Sequence, residues 1–321
     1  MFKWKKLGKV FGPEMASGRP WLAEYAQAPA TLVFDEFVRV YFSCRPPADE
    51  NGQYVSYSAY VDLDRKDLFR IVRVAEQPIL PLGGLGEFDE FGTYPVSVIR
   101  RDDQVWAYYG GWTRCESVPF NVAIGVATSS DDGRTFTKLG RGPVLSYYLD
   151  EPMLLGGPKI RFFDGRWHLW YVAGKKWAVA GGRPETVIKI RMAESDDGLA
   201  WRRRGVDLIK SVLEEDECQA SPDVFFFGEQ YHMFFCYRYS TGFRKNDRGY
   251  RIGYASSKDL VDWQRDDSRA GLELGSSEEW DSQEQAYPHV FEVDSTVYML
   301  YLGNQVGRFG FGLAALEEYT D

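Results

Sequence analysis

Five times this chain sets a proline at the head of a run of β-forming residues, at a nearly constant interval. The copies are Ala28-Pro29-Ala-Thr-Leu-Val, Tyr94-Pro95-Val-Ser-Val-Ile, Gly157-Pro158-Lys-Ile-Arg-Phe, Ser221-Pro222-Asp-Val-Phe-Phe and Tyr287-Pro288-His-Val-Phe-Glu, with successive prolines 63 to 66 residues apart. A long fixed period means one supersecondary unit laid down repeatedly. Each proline strand is followed by an aromatic-rich second strand (38–45, 105–112, 166–174, 230–238, 296–304) and a third (56–63, 122–129, 188–195, 251–257, 309–316). A weaker fourth segment follows in the first four repeats, as at 135–139 and 201–205. Four short antiparallel strands per repeat describe a propeller blade. A proline at the first residue of a strand loses no ladder bond there.

The fifth repeat stops after its third strand, and the missing fourth lies at the other end of the chain. Lys3-Trp-Lys-Lys-Leu7-Gly-Lys-Val-Phe11 reads like Phe136-Thr-Lys-Leu139-Gly-Arg-Gly-Pro-Val144. The N-terminal strand is therefore predicted to complete the last blade of an all-β, five-bladed propeller spanning residues 1–321 as one domain. Such closure removes the two open edges of a linear array. The turn Ser129-Ser-Asp131-Asp-Gly133-Arg-Thr-Phe136 recurs as Glu194-Ser-Asp196-Asp-Gly198-Leu-Ala-Trp201 and, degenerately, as Ser256-Ser-Lys258-Asp-Leu260-Val-Asp-Trp263. It resembles the Asp-box of sialidases and is read as a structural turn.

Composition bounds the function. No run of about 18 apolar residues exists, so no membrane span is expected. Lys3, Lys5 and Lys6 are followed by Gly8 and Pro13 rather than an apolar stretch, so no secretion signal is expected. Cys44, Cys115, Cys218 and Cys236 have neither metal-ligand nor disulfide-framework spacing, which suits a reducing cytoplasm. A net charge of −9 argues against general nucleic-acid binding. His168, His232 and His289 lie in different blades with no zinc spacing. No metal or cofactor is expected, and the sequence leaves the oligomeric state open.

In a propeller the first strands line the central axis. Antiparallel order puts the start of strand one beside the end of strand two, so two loop sets frame one axial pocket, the expected site. Counting back five residues from each proline gives Glu24, Glu90, Met153, Glu217 and Gln283. Clustered carboxylates push their pKa values apart, so one can serve as acid and another as base. Glu90, Glu217, Asp89 and Glu24 are the candidate catalytic residues, the other reading being a solvated acidic rim. Asp89 and Glu90 are neighbours, and in an extended segment only one faces inward. The opposing loops are basic: Arg45, Arg114, Lys175, Lys176, Arg183, Arg238, Arg244, Lys245, Arg248, Arg251 and Arg308. They suit an anionic ligand, or else pair with the acidic loops. Candidate substrate-binding residues are Tyr25, Tyr94, Trp112, Lys175, Trp177, Arg238, Arg248, Gln283, Glu284, Tyr287 and His289. The aromatic ones could stack on a sugar ring, and His289 follows Pro288 on an axial strand.

The proline-led strands, the Tyr-Tyr and Trp-Tyr second strands and the phrase Gly253-Tyr-Ala-Ser-Ser-Lys-Asp-Leu-Val-Asp-Trp263 resemble the five-bladed propellers of glycoside hydrolase families 32, 43, 68 and 130. Gly83-Gly-Leu-Gly-Glu-Phe-Asp89-Glu, Trp280-Asp-Ser with Tyr287-Pro288, and the segment 307–316 resemble uncharacterised glycosylase-like propellers associated with bacterial saccharide biosynthesis. The resemblance implies hydrolysis, phosphorolysis or transfer of a glycosidic bond in the axial pocket. Families 32 and 43 place acids directly before, or two residues before, blade prolines. Here those positions hold Ala28, Tyr94, Gly157, Ser221 and Tyr287, and Gln27, Thr93, Gly156, Ala220 and Ala286. Two-carboxylate hydrolysis therefore fits poorly, and phosphorolysis, as in family 130, fits the basic loops better. The expected partner is a saccharide, a sugar phosphate or a related polar metabolite. The alternatives are a sugar-binding propeller without hydrolysis, or a biosynthetic enzyme acting on a small polar metabolite.

Overall fold

The computed structural model describes residues 1–244 and 247–320, and Lys245, one of the basic loop residues, lies outside them. Twenty strands form five four-stranded antiparallel sheets. The first strand, β1 (Phe2–Phe11), precedes blade I, which is β2 (Glu24–Val33), β3 (Phe37–Arg45), β4 (Tyr57–Asp64) and β5 (Ile71–Val74). Blade II is β6 (Gly92–Arg101), β7 (Gln104–Arg114), β8 (Phe120–Ser129) and β9 (Thr137–Lys138). Blade III is β10 (Met153–Phe163), β11 (Arg166–Ala180), β12 (Arg183–Ser195) and β13 (Arg202–Arg203). Blade IV is β14 (Cys218–Phe227), β15 (Gln230–Arg238), β16 (Arg251–Ser257) and β17 (Gln264–Arg265). Blade V is β18 (Ala286–Val293), β19 (Thr296–Leu302) and β20 (Phe311–Tyr319), with β1 as its fourth strand. β1 pairs with β20 from Phe2 opposite Tyr319 to Phe11 opposite Phe311, so the ring closes as the sequence predicts. Among the described residues no helix is long and apolar enough to cross a membrane.

Second strands are sandwiched between neighbouring blades. β3 is buried from Val38 to Cys44 and β7 from Val105 to Gly111, which is why they are continuously apolar and aromatic rather than alternating. Hydroxyls on these strands reach the next blade's Asp-box turn: Tyr41 donates to Gly133 O (2.9 Å) and Tyr108 to Gly198 O (2.8 Å). Gly133 has φ +76°, and a Cβ there would strike the Tyr41 hydroxyl, so the turn requires glycine. Asp131, Asp197 and Asp259 each accept a serine hydroxyl and backbone N–H groups of their own turn. The boxes are structural.

A second repeated device lies inside the blades. A buried carboxylate just ahead of the first strand binds a cation on the fourth: Asp89–Lys138 (2.6 Å), Glu151–Arg203 (2.7 Å), Glu217–Arg265 (2.6 Å) and Asp281–Lys6 (2.7 Å). A second-strand tyrosine donates to the same carboxylate in three of these blades, from Tyr109 (2.9 Å), Tyr171 (2.6 Å) and Tyr301 (3.1 Å). Blade IV has Phe235 there, and Gln219 Nε2 supplies the bond to Glu217 instead (3.0 Å). Blade I has Phe42 at the tyrosine position and Val74 at the cation position. Carboxylate and cation are kept together in four blades, with Gln219 standing in for the missing hydroxyl in blade IV, as the cost of an unpaired buried charge demands.

Every first strand also carries a bulge at its proline, between Gln27 and Ala30, Thr93 and Val96, Gly156 and Lys159, Ala220 and Asp223, and Ala286 and His289. Ala28, Gly157, Ser221 and Tyr287, each before its proline, have φ of +50° to +56°. For the three non-glycine residues this costs about 1–2 kcal/mol each. Bulges re-aim side chains, and here the Tyr94 and Tyr287 hydroxyls, from separate blades, meet at 3.2 Å.

The sequence places a loop at 175–187, but the structure continues β11 and β12 as a paired hairpin to Ala180 and Arg183. Its two-residue tip, Gly181-Gly182, has positive φ at both positions, the geometry of a tight hairpin turn. The apolar and polar residues before the tip do not alternate cleanly, which hid the extension.

Candidate functional site

A cavity of about 710 Å³ opens where the second-to-third-strand connections gather. Blades I and II supply Arg45, Tyr54, Tyr94, Trp112, Arg114 and Phe120. The long hairpin of blade III supplies Trp177, Arg183 and Glu185, and blade IV supplies Arg238, Phe243 and Arg244. Trp177 meets Phe120 edge-on at 5.6 Å, joining blades II and III along one wall. Arg45 lies against three tyrosines, its Cζ 4.8 Å from the Tyr25 ring, 5.3 Å from Tyr54 and 5.9 Å from Tyr94. Five guanidinium groups thus face one carboxylate, Glu185, which is already paired with Arg244.

The sequence candidates divide. Tyr94, Trp112, Trp177 and Arg238 lie in the cavity wall, and Tyr25 stands beside it against Arg45 and Tyr54. Tyr287 joins Tyr94 through the hydroxyl contact and stacks edge-on against Tyr250 at 6.1 Å. The carboxylates do not form the expected ring. Asp89 and Glu217 are fully buried inside blades II and IV in the clamps described above. Glu217 also accepts from the backbone N–H groups of Val212 and Leu213 (3.0 Å each). Glu90 accepts from Gly86 N (3.0 Å) and caps its own loop. Glu24 takes the Tyr54 hydroxyl (3.1 Å) with Arg308 at 4.0 Å, which brings it next to a wall residue. Counting five back fails because the segments entering the first strands differ in length: the clamp acid stands five residues before its proline at Glu217, six at Asp89 and seven at Glu151 and Asp281.

Four charged or polar candidates are also engaged elsewhere. Lys175 pairs with Asp207 (3.2 Å). Arg248 packs over Tyr239, its Cζ 3.7 Å from the ring, and donates to Thr241 O (3.0 Å). Gln283 is exposed and its backbone binds Asn304 and Arg251. Glu284 is half-buried and accepts from Val306 N (2.8 Å). Burial pushes its pKa up, against the pull of those backbone donors. Tyr54, Phe120, Glu185, Phe243 and Tyr250 were missed. Their signal was their position in the second-to-third-strand connections, which were read for charge rather than for aromatic content.

Within the axis lies a buried charged cluster built from the residue after each proline in blades III, IV and V: Lys159, Asp223 and His289. Asp223 holds Arg161 Nη2 (2.7 Å), His289 Nδ1 (3.2 Å), Lys159 Nζ (3.7 Å) and the Val290 N–H (2.6 Å). Thr31 N donates to His289 Nε2 (3.0 Å), so the ring proton sits on Nδ1 and points at Asp223. Burial drives the Lys159 pKa down to about 8 and that of His289 down to about 4. Burial alone would raise Asp223, but Arg161, His289 and Lys159 outweigh it and hold the carboxyl well below its usual range. Among the described residues no group of three His, Cys, Asp or Glu side chains is placed to hold a metal ion.

No protein-family model matches the sequence. Two uncharacterized proteins of Mycobacterium tuberculosis, Rv1502 of strain H37Rv and MT1551 of strain CDC 1551, are 32% identical over 316 residues, covering 98% of this chain and 99% of theirs. Among solved structures, a glycoside hydrolase superposes with a TM-score of 0.76 at 16% identity, covering 99% of this chain and 93% of that protein. A thermostable family-43 glycoside hydrolase gives 0.67 at 15% identity, covering 95% and 93%. The β-1,2-mannobiose phosphorylase from Listeria innocua, in complex with β-1,2-mannobiose, gives 0.65 at 12% identity, covering 98% and 96%. These likenesses establish the shared five-bladed fold.

Proposed function

The chain belongs to the family of the two mycobacterial proteins, and we propose that its axial cavity binds an anionic saccharide or sugar phosphate and makes or breaks the anomeric bond by transfer to or from phosphate. The observation that carries this reading is the wall: five arginines, six aromatic rings, and one carboxylate already paired. Hydrolysis by two carboxylates needs them about 5–9.5 Å apart across the scissile bond, and the wall offers no such pair. In phosphorolysis a phosphate oxygen attacks the anomeric carbon, the glycosidic C–O bond breaks, and one proton goes to the departing oxygen. A single acid suffices. Glu24, beside Tyr54, and Glu284, whose burial favours the protonated form, are the carboxylates available for it.

The test is to incubate the protein with a disaccharide panel, with and without inorganic phosphate, and to assay sugar phosphate. Phosphate-dependent product that falls at least tenfold in Glu24→Gln or Glu284→Gln supports the reading. Sugar release at the same rate without phosphate sinks it. A second reading, a sugar-binding propeller without turnover, is favoured by the engagement of Asp89, Glu151, Glu217 and Asp281 in clamps. Saturable sugar binding with no product after long incubation would select it.

A further inference from the structure

Arg238 stands at the end of β15, 5% exposed, in the cavity wall. Its Nη1 donates to Tyr239 O (2.7 Å) and Ser240 O (3.4 Å), and its Cζ lies 3.5 Å from the Phe243 ring centroid and 5.2 Å from that of Tyr250. Its buried Nε has no acceptor, and among the described residues no carboxylate lies within ion-pair distance. Burial works against its charge, but Tyr250, by its phenol's charge and hydrogen bond, the Cys218 thiol and the Tyr287 phenol outweigh it and raise the pKa above the usual arginine value. Burial raises the pKa of all three, so none supplies a negative charge near neutral pH. The other buried cations are partnered. Arg39 has Asp62, Arg191 has Glu151 and Asp207, Lys159 has Asp223, and Lys189 donates to three oxygens.

A guanidinium held dry and without a counter-ion is unfavourable unless something else supplies the charge. Two other wall arginines are already satisfied by the protein. Arg244 has Glu185, and Arg114 has Tyr54 O (2.9 Å) and Asp49 (3.8 Å).

We infer that Arg238 is the anchor for the ligand's anionic group, a phosphoryl or carboxyl group that seats against its guanidinium in the cavity wall. This rests on the reading of the cavity as a ligand site and not on the reaction. The planar fork of arginine suits either anion. Arg45, caged by tyrosines and with no carboxylate partner among the described residues, is a further cation free to meet it.

The experiment is equilibrium binding by titration calorimetry, with inorganic phosphate, glucose 1-phosphate and glucuronate as probes and no turnover required. Wild type is expected to bind at least one probe. Preference for glucose 1-phosphate over glucuronate, or the reverse, identifies the group. Arg238→Met should weaken that probe about 30-fold or more, as for a buried charge pair losing one member. Arg202→Met, which removes an exposed cation paired with Asp196 away from the cavity, should change it about threefold or less. Should Arg238→Met not fold, Arg238→Lys keeps the charge, loses the fork, and should still cost about tenfold. No binding of any probe overturns the inference, as do equal losses in the Arg238 and Arg202 variants. Absence of phosphorolysis would leave it standing, whereas binding unaffected in Arg238→Met would sink it alone.

Discussion

Replacing Asp223 by Asn should destabilise this protein more than any other single exchange in its axis. Asp223 is wholly buried, and its two oxygens are shared among Arg161, Lys159, His289 and the Val290 amide. Asn keeps the shape and removes the charge, leaving two cations buried without a counter-ion. Breaking a buried ion set in this way costs about 3–5 kcal/mol. An unfolding entropy of about 2.1 cal/mol/K per residue, over 321 residues, gives about 0.7 kcal/mol per degree. The expected fall in Tm is therefore about 4–7 °C by calorimetry at pH 7.5. Lys159→Met should be neutral or stabilising, because burial already holds the lysine down to about pKa 8 and its charge is a burden on the fold. Adding Lys159→Met to Asp223→Asn should recover about 1–3 kcal/mol of the loss. The lysine also has a pH signature. The unfolded chain binds its proton up to the ordinary value of 10.5, the folded chain only to about 8, so stability gains as pH rises from 8 to 10.5. That gain should be absent from Lys159→Met, so it should stand alone in the difference between wild type and variant. An Asp223→Asn protein melting within about 1 °C of wild type, or a Lys159→Met protein as unstable as it, would refute the reasoning.

Three further outcomes follow from the same geometry. His289 is neutral in the fold, with its pKa lowered to about 4, while the unfolded chain takes up its proton near 6.5. Acid titration by urea unfolding should therefore show about 3 kcal/mol of stability lost between pH 6.5 and 4, and a His289→Gln variant should lack that loss. Tyr109→Phe leaves Asp89 one donor short and should cost about 1.5–3 kcal/mol, while Phe42→Tyr, which puts a hydroxyl where blade I has no carboxylate, should also destabilise. Gly92→Ala drives a Cβ into the Trp112 indole, so it should shift tryptophan emission and weaken binding of whichever anionic sugar the cavity takes.

The architecture was legible because every level of the pattern agreed: prolines at strand starts, aromatic second strands, and an N-terminal segment matching the blade II fourth strand down to Lys6 and Lys138, which turn out to hold equivalent carboxylates. The site was only half legible. Loop aromatics and arginines such as Trp112, Trp177 and Arg238 were found, because residues at the ends of second strands can only open on the mouth. The carboxylates misled, because a fixed count of five from each proline treats as equivalent residues that are not: Glu217 turns into blade IV, while Glu90 caps its own loop and Gln283 is exposed. Only the partners reveal the true role. An acid ahead of the first strand, a tyrosine on the second and a cation on the fourth recur together in blades II, III and V. That three-way correlation within one chain was present to be read.

The distribution of charge then bears on function. The protein is net negative at −9, yet its cavity wall is cationic, because its buried acids are neutralised where they stand. Asp89, Glu151, Glu217 and Asp281 each hold a fourth-strand cation, and Asp223 holds the axial one. Blade I shows that the fold does not need the charged set, since Phe42 and Val74 stand where the tyrosine and the cation would be. What the interior does not tolerate is one member of a charged set without the rest. Measured against that rule, Arg238 departs furthest: a buried guanidinium with no counter-charge and with no acceptor for its Nε, in the wall of the cavity where several blades converge. A rule kept in four clamps and one axial cluster and broken at the mouth is the pattern expected when the missing member arrives with a ligand.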